Sequence, residues 1–158
     1  MSAVTPLQWR AAMGRFATGV TIVTSWDHDE PVGTTVNALC SVSLDPPLLL
    51  ICLDHSNPTL APLQAAGIFG VNILPSECVD LAWRFGRDPS GGRFDGVEHH
   101  CDGGAPRLGV AAAFIECRVE QTHDAGDHRI IVGHGLSIAD CSEAPPLVFH
   151  RGQFPKLV

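Results

Sequence analysis

Thr34, Thr35, Asn37, Ser41 and Ser43 crowd into the stretch GTTVNALCSVSLDPP (33–47). Hydroxyl and amide groups at such alternate or near-alternate positions offer donors and acceptors to a planar ligand carrying several acceptors. The same composition also makes an ordinary Thr-rich edge strand facing water, because threonine is a good strand residue. Downstream, LDHSNPT (53–59) places Ser56 or Asn57 where it could cap a helix and leave N–H groups pointing outward, an arrangement that suits a phosphate. A plain helix cap is the other reading. In GDHRI (126–130), Asp127, His128 and Arg129 alternate at a strand start, so His128 is expected to point away from both neighbours. A histidine there can bond an amide or a phosphate and titrates near neutrality, or it is a surface residue flanking a turn. PLVFHRGQF (146–154) sets an aromatic ring, a histidine and an arginine before a glycine. That group could cover a ligand or end the chain as a solvated strand.

EHHCD (98–102) invites a metal reading, but adjacent residues rarely ligate one tetrahedral ion and no C-x-x-C pair accompanies them. A polar loop is expected, with no metal. A G-x-G-x-x-G opening a helix, a G-x-x-x-x-G-K-[ST] loop and a G-x-S-x-G elbow are all missing, which argues against Rossmann, P-loop and serine-hydrolase sites.

Composition narrows the class further. With 158 residues, 45% of them hydrophobic, one domain with a real core is expected. The net charge of −7 argues against nucleic acid as a partner, while leaving room for a local anion site of amides and an arginine or two. The longest apolar run, LLLICL (48–53), is far too short to cross a bilayer, so no membrane partner is expected. MSAVTPLQWR lacks a basic region followed by an apolar one, so a cytoplasmic location is expected. The 6 cysteines then read as reduced thiols, with Cys52 and Cys117 as small core residues.

The elements that would position these groups can be read in order. Thr5, Pro6 and Gln8 predict a capping box opening a helix, with Trp9, Ala12, Met13 and Phe16 at helical spacing facing the core. VTIVTS (20–25) and residues 32–37 predict a hairpin. Residues 38–43 continue extended until Pro46 and Pro47, and 48–53 reads as a fully buried strand. Helices are expected over 56–66, and over 76–86 with Ser76 as cap and Val79, Leu81, Ala82 and Phe85 inward. A strand at 68–74 separates them. Residues 87–110, rich in Gly, Asp and Pro, form a long loop. Two long strands, 112–124 and 127–140, then meet at Ala125-Gly126, and 147–151 is a last strand. Strands dominate and are joined by turns, which points to a closed or nearly closed antiparallel barrel with peripheral helices.

Taken together, the segments resemble the flavin reductase-like domain family. The pieces that carry the resemblance are AMGRFATGVTIVT (12–24), VGTTVNALCSVSLDPPLLLICLD (32–54), SNPT (56–59), FGVNIL (69–74), GRFDGV (92–97), FIECRVEQTHDAGDHRIIVGHGL (114–136) and PLVFHRGQF (146–154). They stand in the family's order over nearly the whole chain, 1–158, as one domain. The resemblance implies a mainly β, six-stranded antiparallel split β-barrel of Greek-key type with a few peripheral helices, as a homodimer. It also implies reduction of FMN or FAD by NADH or NADPH, with reduced flavin passed to a separate monooxygenase. Carried over by match, Gly33, Thr34, Thr35, Val36 and Asn37 line one side of the flavin, and Leu39, Cys40 and Ser41 present backbone groups to the ring. Leu53, Asp54, Ser56 and Thr59 hold the ribityl and phosphate part. His128 meets the nicotinamide dinucleotide, and Phe149, His150, Arg151 and Gly152 lie near both rings. The family's terminal segment commonly carries a tyrosine, and this chain has none. Phe149 keeps the aromatic face without the hydroxyl. A flavin- or haem-binding carrier or sensor on the same barrel is the alternative reading.

Overall fold

The structure is a computed structural model that describes residues 3–87, 92–101 and 103–157. Its elements are α1 (Pro6–Met13), β1 (Thr18–Gly19), β2 (Thr21–Asp27), β3 (Glu30–Val36), β4 (Leu39–Leu44), β5 (Pro47–Asp54), α2 (Leu60–Ala66), β6 (Ile68–Ile73), α3 (Val79–Arg87), β7 (His99–His100), β8 (Arg107–Leu108), β9 (Ala113–Ala125), β10 (His128–Cys141) and β11 (Val148–Phe149). Asp88 to Gly91 and Asp102, parts of the loop expected over 87–110 and of EHHCD, lie outside the described residues.

Seven strands form one sheet in the order β3-β2-β6-β9-β10-β5-β4, and each pairing in it is antiparallel. The two edge strands are consecutive in the chain, joined only by Asn37 and Ala38. Strands about 4.8 Å apart would set the edges of a flat seven-strand sheet roughly 29 Å apart. Two linking residues reach only about 10 Å. The sheet therefore rolls until its edges approach, and β3 touches β5. No ladder joins β3 to β4 among the described residues, so a seam stays open there. This departs from the expected six strands. The extended run expected over 38–43 breaks from β3 at Asn37-Ala38 and crosses the seam as a strand of its own.

Alternation decides what each strand buries. In β5, Leu49, Ile51 and Leu53 are buried, while Leu48, Leu50 and Cys52 are only partly so. The run LLLICL is thus half-buried, not fully buried, because its second face is the open side of the sheet. Val23, Val36, Ile51, Phe69, Cys117 and Ile131 fill the interior, with Leu60 and Leu63 of α2. A second cluster, Ile22, Leu74 and Leu147, lies under Ala82 and Phe85 of α3. Asn72 ties the two halves together. Its amide donates to Ile22 O (3.0 Å) and Thr24 Oγ1 (3.1 Å), and its Oδ1 accepts from Leu108 N (2.8 Å).

The helices differ from the sequence reading in instructive ways. The capping box of α1 forms as expected, with Thr5 N donating to Gln8 Oε1 and Gln8 N donating to Thr5 Oγ1. Its apolar face, however, stays exposed. Helix α1 has no buried residue, and Trp9, Met13 and Phe16 are 61%, 49% and 70% exposed. The expected core role of these residues is overturned within a single chain. The α2 helix starts later than expected, at Leu60 after Thr59, because Asn57 Oδ1 accepts from Thr59 N in a turn instead of capping a helix. Ser76 does not cap α3, which begins at Val79; its hydroxyl reaches Glu77.

The interior leaves no spare volume at Gly133 of β10. A Cβ there would meet the Phe69 ring and stand 2.9 Å from Cys117 Cβ. Gly133→Ala is expected to destabilise the fold by about 1–3 kcal/mol through overpacking, read as a lower urea midpoint at unchanged slope. An unchanged midpoint would show that the Phe69 ring can move aside freely.

Candidate functional site

The seam gathers most of the sequence-predicted residues. As edges, β3 and β4 each have one side with no strand partner, so their outward N–H and C=O groups are available to a ligand. The crossing is tight: Leu39 N donates to Asn37 O and Cys52 N donates to Ala38 O, both at 3.0 Å. Asn37, Cys40 and Ser41 are exposed along it, and Leu39 is half-buried. A flat, multi-acceptor ring fits such a row of small, exposed residues along a strand edge.

Several expected wall residues face elsewhere. Gly33 is buried, and a Cβ on it would stand 3.1 Å from Phe85 Cε1. Its role is packing against α3, and its carbonyl accepts from Arg93 Nη1 at 2.7 Å. Val36 belongs to the core. Thr35 donates to Ala82 O (2.6 Å), and buried Thr34 accepts from Asn57 Nδ2 (3.1 Å). The strand's alternation turns Thr34 and Val36 inward, while Thr35, half-buried toward α3, lines a small pocket with Asn37, Trp83 and Phe149.

One end of the seam is an acidic turn. Leu53 and Thr59 are buried, so what they present to this end of the seam is backbone. Asp54 Oδ1 accepts both Ser56 N (2.7 Å) and Ser56 Oγ (2.6 Å). These bonds, side chain first and backbone second, hold the Asp54 carboxyl below the usual range. The Ser56 amide is therefore engaged inside the turn. Asp54, an acceptor, suits the donating hydroxyls of a ribityl chain better than a phosphate, which it repels.

Strand pairing sets His128 directly opposite Asp54. Its Nδ1 lies 2.7 Å from Asp127 Oδ1. An ionised carboxylate only accepts, so Nδ1 carries the proton and Nε2 is left as the outward group. The bond to His128 is also the first cause of a lowered Asp127 pKa. Asp127 and His128 thus act together, against the expected alternation, because β10 starts at His128 and Asp127 belongs to the turn after Gly126, whose φ is 65°. Ligand atoms of Asp54, Asp127 and His128 lie within 4.8 Å of one another. His55 N donates to Asp127 O at 3.0 Å and locks the two turns together.

The other end is built from the two chain ends. Asn37 Nδ2 donates to Thr18 Oγ1 (3.3 Å), and Thr18 pairs with Phe149 in the β1–β11 ladder. His150 and Gln153 exchange backbone bonds at 2.9 and 3.0 Å. Between them Arg151 and Gly152 have φ of 53° and 78°, as in a type I′ turn. An arginine in this left-handed region costs about 1–2 kcal/mol, and Arg151 N is tethered to Gly14 O at 2.9 Å. Phe154 packs on Trp83 (4.9 Å between centroids) and on Phe149 (5.4 Å), fixing the segment to α3. Sequence reasoning named Asp127 and Asn57 without the bonds they make, and did not single out Thr18 or Trp83. The first three stand inside or beside the quoted motifs, but only the fold shows what they bond.

His99 and His100 of EHHCD face apart on β7. His99 Nδ1 meets Val97 O at 2.9 Å, whereas His100 Nε2 lies 3.5 Å from Glu98.

A family model described as "Flavin reductase like domain" matches residues 13–157. This chain belongs to the flavin reductase-like domain family. It is 38% identical over 154 residues to the reductase subunit HsaB of a flavin-dependent monooxygenase from Rhodococcus jostii, covering 96% of this chain and 78% of that one. It is 40% identical over 147 residues to the FMN reductase (NADH) SmoA of Agrobacterium fabrum, covering 92% and 83%. The solved NADH:FAD oxidoreductase SgcE6 of Streptomyces globisporus, in complex with NAD and FAD fragments, superposes with a TM-score of 0.91 at 33% identity, covering 100% of this chain and 98% of that one.

The acidic turn of this family member makes a pH prediction. Asp54 and Asp127 are more acidic folded than unfolded, so the unfolded chain binds more protons there. The stability they contribute is present above the unfolded value of about 3.9 and is lost as pH falls through the lower folded values. Thermal unfolding followed from about pH 7 to about pH 2.5 is expected to fall less steeply in an Asp54→Asn, Asp127→Asn variant. Superimposable acid limbs would count against both bonds.

Proposed function

We propose that this chain reduces FMN or FAD with NADH or NADPH and supplies the reduced flavin to a separate monooxygenase in the cytoplasm. The observation that carries the reading is the open seam. A row of small, exposed residues at the strand edge, 37–41, runs between the Asp54–Asp127–His128 turn and the Phe149–Gly152 turn. The flavin, when bound, supplies a ring that accepts hydride from the dinucleotide. The protein's part is to orient and to exclude water. Edge backbone at Leu39–Ser41 meets the ring edge, Asp54 meets the ribityl hydroxyls, and Asp127 holds His128 so that Nε2 faces the dinucleotide.

A homodimer belongs to the same reading. Leu7, Trp9, Met13 and Phe16 lie exposed on and just after α1, and Leu44, Leu136 and Ile138 are exposed at 92%, 49% and 70%. The latter three line a largely apolar groove of about 530 Å³ beside Ser41 and Ser43. Contiguous exposed apolar surface of this kind marks an interaction face, and a second copy satisfies both patches by two-fold symmetry.

Purified protein is expected to oxidise NADH or NADPH only when FMN or FAD is added. Oxidation of neither with either flavin would end the reading. His128→Ala is expected to lower kcat/KM for the dinucleotide roughly tenfold with the flavin KM unchanged. Sedimentation is expected to give a dimer for the native chain and a monomer for Leu136→Lys with Ile138→Lys; a native monomer would refute the pairing.

A further inference from the structure

Glu116, Arg107 and His100 take no part in the seam, yet the fold brings them to one cavity. Residues 104–108 lie over β2 and β6, pinned by three side chains. Trp26 Nε1 donates to Gly104 O (2.9 Å), Thr24 Oγ1 donates to Pro106 O (2.5 Å), and Asn72 Oδ1 accepts from Leu108 N (2.8 Å). Between this segment and one end of β9 and β10 is a cavity of about 260 Å³, whose walls include His100, Arg107, Phe114, Glu116, Ser137 and Ala139. It is distinct from the seam, because β9 stands three strands away from the β4 edge. It is also distinct from the apolar groove. Ile115 and Ile138 line that groove, whereas Phe114, Glu116 and Ala139 line the cavity, since successive residues of a strand face opposite ways.

The cavity holds opposite charges that do not meet. Glu116 is half-buried, and no hydrogen bond or ion pair engages its carboxylate among the described residues. A Cβ on Gly104 would stand 2.7 Å from Glu116 Cδ, so the glycine leaves the carboxylate its place. Arg107 and His100 are opposed residues of the β7–β8 ladder, and His100 Nε2 lies 3.5 Å from Glu98 Oε1. Arg107 is half-buried and makes an interaction of its own, and its five donors allow a second partner. Arg107 and Glu116 attract each other, but the bonds to residues 104, 106 and 108 fix the backbone that carries Arg107. We propose that this cavity binds a small zwitterion of the α-amino acid class, with its ammonium at Glu116 and Ser137 and its carboxylate at Arg107 and His100. A simple anion is opposed by Glu116 and a simple cation by Arg107. A molecule carrying both charges satisfies both walls, and a guanidinium fork matches carboxylate oxygens. The volume lies below the roughly 300–1,000 Å³ of pockets for drug-sized ligands, which leaves out nucleotides and flavins. Phe114 and Ala139 give the ligand an apolar surface. Nothing in this inference rests on the reductase reading.

The experiment is isothermal titration of the native chain, to millimolar concentration, with each standard L-amino acid in turn. Acetate and methylammonium serve as single-charge controls. At least one amino acid is expected to bind more tightly than either control by about tenfold or more. Glu116→Gln and Arg107→Gln are each expected to lower its affinity about tenfold, while Arg118→Gln, an exposed arginine of β9, leaves it unchanged. Ala139→Leu narrows the cavity without touching either charge and is expected to abolish binding; it decides the matter should either charge variant fail to fold. Binding of no amino acid overturns the site. Acetate or methylammonium binding as tightly as the best amino acid makes this a simple ion site and overturns the zwitterion. Amino acid binding that survives Glu116→Gln, Arg107→Gln or Ala139→Leu unchanged places the ligand elsewhere and also overturns the proposal.

Discussion

A two-residue link determines the shape of this molecule. Asn37 and Ala38 connect the two edges of a seven-stranded sheet, and no flat sheet can satisfy a link that short. Rolling the sheet encloses the interior around Phe69, Ile51 and Ile131. It also forces two strand edges to face each other without pairing. Unpaired edges are ordinarily a liability. Here they create a strip of backbone donors and acceptors beside small side chains, the chemistry needed to hold a flat heterocycle without a glycine-rich helix start.

The crossing also concentrates the remaining functional groups. Asn57 reaches back to Thr34, and Asn37 reaches back to Thr18. These two bonds dock the acidic turn and the paired chain ends on either side of the link. The acidic turn is itself rigid, because His55 N bonds Asp127 O while Asp127 holds His128. A histidine oriented in this way presents one defined nitrogen with little conformational loss on binding.

Much of this was legible in the sequence, and what was not has identifiable causes. The strand positions and the α1 capping box followed from β-branched runs and from Thr5, Pro6 and Gln8. The ordered motifs cover both edges of the seam. Gly33, Val36, Leu53 and Thr59 were expected at the ligand but belong to the interior, because motif matching marks a segment while strand alternation decides which of its side chains face out. Trp9, Met13 and Phe16 were expected inside, since helical periodicity reports an apolar face but not what covers it. Asp127 was separated from His128 by assuming a strand where a turn stands. The six-strand expectation missed the break at Asn37-Ala38, which has no proline and no glycine to signal it.

Charge adds direction to this geometry. Asp54, Asp124 and Asp127 gather at one end of the seam, where Asp124 pairs with Arg129 at 2.6 Å. At the other end Arg10, Arg15 and Arg151 stand without carboxylate partners among the described residues. The two ends of the seam therefore differ in charge, with carboxylates gathered at one of them. Net charge alone, at −7, would predict repulsion of any nucleotide. Net charge is a poor guide to any one site, because a Debye length of about 8 Å screens distant acids. The pairing of the two chain ends thus brings together two segments, 1–26 and 144–158, that carry no acidic residue, apart from the acids that set the net charge.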